Sequence, residues 1–141
     1  MPRTTITDGD YRALAEFRYH LRRFLHVREQ AAKAAGIEPQ QYQLLLELKA
    51  LETRRIAPTI GVLAERLQIR HHSAVGLVDR MVSRNLVGRR QVTADQRRVL
   101  VLLRPRGRAV LRSLAKQSLA ELRTEGPALL EVIRRLGRRS R

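Results

Sequence analysis

The sequence predicts a mainly α-helical protein with one small β-hairpin in its second half, and three observations predict it. Apolar residues recur at three- and four-residue steps through most of the 141 positions, the mark of amphipathic helices. Between Val87 and Leu103 that period gives way to alternating, β-branched stretches, which suit strands. Finally, 29 Lys and Arg against 13 Asp and Glu leave a formal charge of +16, a self-repulsion that a polyanionic partner would relieve.

The first helix is expected over 10–35. Leu14, Phe17, Leu21 and Phe24 form its stripe, Leu25 widens it, Asp8 or Asp10 can cap it, and Gly36 with Glu38-Pro39 stops it. A long helix at the edge of a small protein has little core to lie on, so its stripe points to a partner subunit. A second helix follows Pro39 with Tyr42, Leu45, Leu46, Leu48 and Leu51, and a connector over Thr53–Pro58 leaves room for a brief strand near Ile56. Thr59 caps a third helix, Ile60 to Leu67. After a short turn, Gln68-Ile69-Arg70, a fourth helix runs from His71 to about Arg84, burying Ala74, Leu77, Val78 and Met81.

Two short helices joined by a tight turn, the second apolar on one side only, make a helix-turn-helix. The hairpin follows directly, with strands near Val87–Val92 and Arg98–Leu103 and a tip at Thr93–Gln96. Pro105 opens a fifth helix carrying Val110, Leu111, Leu114, Leu119 and Leu122. Gly126-Pro127 is expected to break it, leaving a sixth helix with Leu129, Leu130, Val132, Ile133 and Leu136. The expected architecture is thus one domain over 1–141: a winged helix-turn-helix at 39–104, flanked by dimerisation helices at 10–35 and 105–137.

Such a fold offers its fourth helix to the major groove. The exposed side there carries His72, Ser73, Val75 and Gly76, flanked by Arg70, His71 and Arg80. Ser and His can hydrogen-bond bases or phosphates, Val75 can meet a thymine methyl, and Gly76 permits close backbone approach. Arg70 and Arg80 suit phosphates, which fix register and carry no sequence information. On the hairpin, Arg89, Arg90, Arg97 and Arg98 cluster with Asp95 alone opposing them, a basic wing fit for the narrow minor groove.

The run Leu77-Val78-Asp79-Arg80-Met81 through Leu86-Val87, then Asp95-Gln96-Arg97-Arg98-Val99, then Leu103-Arg104-Pro105-Arg106-Gly107, resembles the signature of the MarR family of transcriptional regulators. The resemblance covers essentially the whole chain. It implies that Asp95 braces the wing while Arg97 enters the minor groove, and that the first, fifth and sixth helices interlock in a triangular homodimer. It also implies a small aromatic or phenolic effector held between the dimerisation and DNA-binding parts. Phe17, Tyr19, Phe24 and Tyr42 are the aromatic candidates to line that pocket, although the core is the reading that suits them better. Three positions depart from the pattern: Arg104 stands where Thr is usual, Val75 and Gly76 where polar or basic side chains are common, and Asn85 where Gly is frequent.

Other chemistries lack their residues. Without cysteine, disulfides and thiolate zinc sites are excluded. Of the four histidines, neighbouring His71 and His72 diverge by about 100° on a helix, His20 and His26 also diverge, and no HxxxH or HExxH pair exists, so no metal or other cofactor is expected. There is no nucleophile elbow, phosphate-cradling glycine loop or acid/base carboxylate pair, so an enzyme is not expected. The N-terminus lacks a signal peptide's apolar core, and no apolar run reaches the ~18 residues that span a bilayer. A cytoplasmic protein that binds duplex DNA is the reading these features favour, and the MarR resemblance implies that it regulates transcription from a palindromic operator, as a repressor. The alternative is a nonspecific structural nucleic-acid protein, chromosome-organising or ribosomal. It shares the charge, but not the full set of amphipathic helices, and stacking aromatics are absent from the hairpin.

Overall fold

Thr7 begins the first helix. Its hydroxyl accepts from the Asp10 backbone N–H at 3.3 Å, while the Asp10 carboxylate accepts from the Thr7 backbone N–H at 2.9 Å. This reciprocal cap satisfies donors the helix itself leaves open. The cap is therefore Thr7, not Asp8 or Asp10, and the helix starts earlier than its apolar stripe indicated.

The computed structural model describes residues 5–92 and 98–138. Its elements are α1 (Asp8–Ala34), α2 (Pro39–Arg54), α3 (Ile60–Leu67), α4 (His71–Ser83), β1 (Val87–Gln91), β2 (Val99–Leu103) and α5 (Pro105–Gly137). The residues divide into two compact units, one built from the chain up to Gln30 and from Lys116 onward, the other from Ala31–Ala115.

In the Ala31–Ala115 unit, Leu44, Leu45 and Leu48 of α2 meet Leu63 of α3, Leu77, Val78 and Met81 of α4, and Val87 and Val101 of the hairpin in one buried cluster. Leu111 and Leu114 of α5 join it. α2 runs through Thr53 and Arg54, which the sequence reading assigned to a connector, because Arg55 ends it in the left-handed region at φ 56°. In place of the brief strand near Ile56, Thr59 makes a single antiparallel bridge to Leu100, and the Val101 N–H donates to the Pro58 carbonyl at 3.0 Å. Asn85 takes φ 58° after α4, a conformation asparagine tolerates. β1 and β2 pair antiparallel with Val87 opposite Leu103 and Gln91 opposite Val99. The hairpin is anchored at its base: the Leu86 carbonyl accepts from the Arg104 N–H at 3.0 Å, and buried Gly107, in the first turn of α5, packs against that same carbonyl group.

The other unit is thin. Arg28 and Glu121 form an ion pair at 2.6 Å, each side chain only 12% exposed, and the Arg28 Nη1 donates to the Ser118 hydroxyl at 3.2 Å. Among the described residues Arg28 Nε has no hydrogen-bond partner, and Glu121 Oε2 meets Arg28 Nη2 as an ion pair. Phe17 and Phe24 are half-buried, whereas Leu14, Leu21, Leu25, Leu119, Leu122, Leu130 and Ile133 remain exposed.

The break expected at Gly126-Pro127 is absent. α5 continues through Pro127 to Gly137, so the expected sixth helix is the last part of the fifth. Proline deletes one N–H donor and crowds the carbonyl four residues back. Helix formers Ala128, Leu129, Leu130 and Glu131 carry the helical path past that single fault.

Candidate nucleic-acid interface

Thr59 starts the helix-turn-helix by accepting from the Val62 N–H at 3.2 Å. α3 then ends at Gln68, whose φ of 55° turns the chain, and the Ile69 N–H donates back to the Ala64 carbonyl at 3.0 Å. Ile69 packs against the buried cluster, so the turn is held from inside. α4 follows with Ala74, Leu77, Val78 and Met81 fully buried. That stripe fixes which side of α4 faces out.

The outward side is the one the sequence indicated. Arg70, His71, His72, Ser73 and Arg80 are exposed, while Val75 and Gly76 are half-buried. Arg70 occupies the N-cap position of α4 without a side-chain cap, so the N–H groups of the first turn stay available beside two histidines and an arginine. A helix start of this kind attracts phosphate. Above Gly76, an added Cβ would meet only the Arg80 Nη1, at 3.7 Å.

On the hairpin, Arg89, Arg90 and Arg98 are exposed. Successive strand residues point to opposite faces, so Arg89 and Arg90 cannot serve the same surface. Arg89 turns to α4 and pairs with Asp79. Arg90 shares its face with Gly88, against which the Arg104 guanidinium lies closely enough that a Cβ there would be 3.1 Å from its Nη2. Asp95 and Arg97, and the tip as a whole, lie outside the described residues.

Four contributors escaped the sequence reading. Asp79 pairs with Arg89, and Glu38 lies 3.5 Å from Arg80. The Arg84 Nη1 donates to the Oε1 of fully buried Gln41 at 3.2 Å, an oxygen that also accepts from the Glu38 N–H at 3.0 Å. The start of α2 is thereby tied to the end of α4. Only the Asp79 link had a usable sequence signal, a carboxylate on the outward side of α4 facing an arginine-rich strand, and reading it required the hairpin register.

The aromatic candidates are dispersed in character. Tyr42 is buried in the core of the Ala31–Ala115 unit. Tyr19 is exposed, edge-on to His20 at 5.4 Å, and lines an open depression with Arg22, Arg23 and His26. The Ala31–Ala115 unit also has a cavity of about 420 Å³ floored by Leu46, Leu111 and Ala115 and rimmed by Lys49, Arg108 and Arg112. On that rim Arg108 grips Glu52 through both guanidinium nitrogens, at 3.0 and 3.1 Å, and this hydrogen bonding holds the Glu52 carboxyl below its ordinary range. Across α2 and α3, Glu47 does the converse for Arg66, raising its pKa by accepting its hydrogen bonds. Among the described residues no group of three or more His, Asp or Glu could hold a metal ion, and no helix is long and apolar enough to cross a membrane.

A helix-turn-helix with one buried stripe, followed by a two-stranded hairpin bearing arginines, defines a winged helix-turn-helix. Residues 35–98 match the model of the MarR family. Among solved structures, the chain is similar to AbsC, a MarR family transcriptional regulator from Streptomyces coelicolor. The two share 22% identity over 87% of this chain and 82% of that one, with a TM-score of 0.73. It is similar to Staphylococcus aureus MepR in complex with DNA at 18% identity, covering 85% and 82%, with a TM-score of 0.64. It is also similar to Bordetella bronchiseptica BpsR, whose DNA binding is regulated by 6-hydroxynicotinic acid, at 22% identity, covering 85% and 94%, with a TM-score of 0.63. No curated protein matches the sequence.

Proposed function

We propose that the chain is a sequence-specific regulator of transcription that binds palindromic duplex DNA as a homodimer, in the cytoplasm, and represses. The observation that carries this reading is α4: four buried apolar residues on one side, and Arg70, His71, His72 and Ser73 exposed at its start. In this reading α4 lies in the major groove, with His72, Ser73, Val75 and Gly76 at base edges and Arg70 and Arg80 on phosphates. An arginine of the wing, Arg97 foremost, takes the adjoining minor groove. The exposed leucines of α1 and of the second half of α5 support the dimer, since a second copy would cover them. Residues 10–35 and 105–137 then serve dimerisation, and 39–104 serve DNA. BpsR supplies the precedent for an effector; an aromatic acid suits the cavity beside Arg112, with its ring on the leucines and its carboxylate toward the cations.

Selection of bound duplexes from a random pool tests the proposal. Recovered half-sites should lie about one helical turn apart, ~10 bp centre to centre, and the recovered palindrome should outcompete bulk DNA by at least ~10³. Equal competition would favour the structural nucleic-acid protein instead, a reading that only the net charge of +16 supports by itself. Effector binding is read separately: small aromatic acids should raise the melting temperature of the wild type and not that of Arg112→Ala.

A further inference from the structure

We infer that Asp79 is a specificity-determining positioning residue of the DNA interface, acting through Arg89. The inference rests on the DNA-binding reading above and names a member of that interface which the basic side chains alone do not reveal. Asp79 sits on α4 one turn beyond Gly76, on the outward side, with its side chain 55% exposed. A carboxylate there faces a polyanion and works against binding by simple charge. It nevertheless pairs with the Nη2 of Arg89, on the first strand of the wing.

The pair joins the two parts that must engage two different grooves. A guanidinium carries five donors in a planar fork, so a carboxylate held at Nη2 leaves other N–H groups free for a phosphate. An arginine on a strand edge otherwise samples many rotamers, and ordering it on binding has an entropic cost. Asp79 removes that freedom beforehand and sets the direction in which Arg89 reaches. The same negative charge weakens every contact in which Arg89 is not correctly placed. Penalising the wrong complex while leaving the right one intact is how specificity is gained at some expense of affinity.

The consequence is separable from general electrostatics. Asp79→Asn removes the charge and keeps the shape. Bulk-DNA affinity should rise, and the preference for the selected palindrome over sonicated bulk DNA should fall by about five-fold or more, the range expected for directly coupled side chains. In an Arg89→Ala background, Asp79→Asn should leave that preference unchanged within about two-fold. Asp79→Glu, which retains the charge, should retain most of the preference and guards against a folding artefact in the asparagine variant. Melting curves of the wild type and the four variants accompany the titrations. A preference unaltered by Asp79→Asn, or altered equally with and without Arg89, overturns the role of Asp79 while leaving the regulator reading intact. A wild-type chain that fails to prefer the palindrome overturns the regulator reading itself.

Discussion

Replacing Gly107 by alanine should destabilise the Ala31–Ala115 unit by about 2 kcal/mol, although alanine is the better helix former. The methyl group would enter van der Waals overlap with the Leu86 carbonyl oxygen. It would also sit 3.0 Å from the carbonyl carbon and 3.2 Å from Leu45 Cδ2. Backbone cannot swing aside as a flexible side chain can, so the first turn of α5 must lift. Overpacking of this kind costs ~1–3 kcal/mol, and the Arg104 N–H to Leu86 carbonyl bond at 3.0 Å would weaken with it, for a further ~1 kcal/mol. The helix propensity of alanine offsets ~1 kcal/mol. At a denaturant slope of ~1–3 kcal/mol per molar, the urea midpoint should fall by about 1 M. Gly61→Ala is the matched control. It lies exposed in α3, its nearest neighbour would be the Thr59 hydroxyl at 4.0 Å, and it should gain up to ~0.5 kcal/mol. Urea titrations followed by circular dichroism compare the two. If Gly107→Ala matches the wild type within error while Gly61→Ala behaves as expected, α5 is not seated on the hairpin base in the manner described.

Other perturbations probe the remaining parts. Glu121→Ala leaves Arg28 charged and three-quarters or more buried, which should cost ~3 kcal/mol, whereas the paired change Arg28→Met with Glu121→Leu should be nearly neutral; thermal melts of the three variants decide it. Leu122→Glu places a charge on the exposed stripe of α5 and should convert a dimer to monomer in light scattering, while a persisting dimer would move the subunit contact elsewhere. Glu52 is held below its ordinary value by Arg108, so its contribution is complete above the ordinary carboxylate range and is lost as pH falls through the lowered value. Glu52→Gln should therefore flatten the stability profile on the acid side, below the ordinary carboxylate range, by a small amount fitting an exposed pair; an identical acid slope in both proteins would show that the pair contributes nothing.

The features legible in the sequence were those governed by period. Ala74, Leu77, Val78 and Met81 mark the buried side of α4 by spacing alone, and all four are fully buried. The change of period at Val87 announced the hairpin, and the paired strands begin there. Pro127 carries a breaker's local signal, but the chain beyond it is rich in helix formers and α5 continues through it. Thr7 was overlooked because two aspartates nearby offered plausible caps, and only the reciprocal Thr7–Asp10 bonding chooses between them. Gly107 and Gln41 were illegible for a common reason: each acts on a residue distant in sequence, and nothing in the local pattern of one strand or helix records a neighbour brought in by the fold.

The outward side of α4 and the hairpin carries its positive charge entirely on arginine and histidine; the chain has no lysine between Lys49 and Lys116. Guanidinium groups stay protonated at any cellular pH and have no amine for acyl transfer. Enzymes that silence basic surfaces by acetylating lysine therefore find no substrate here. Lysine acetylation cannot erase the arginine charge of this surface.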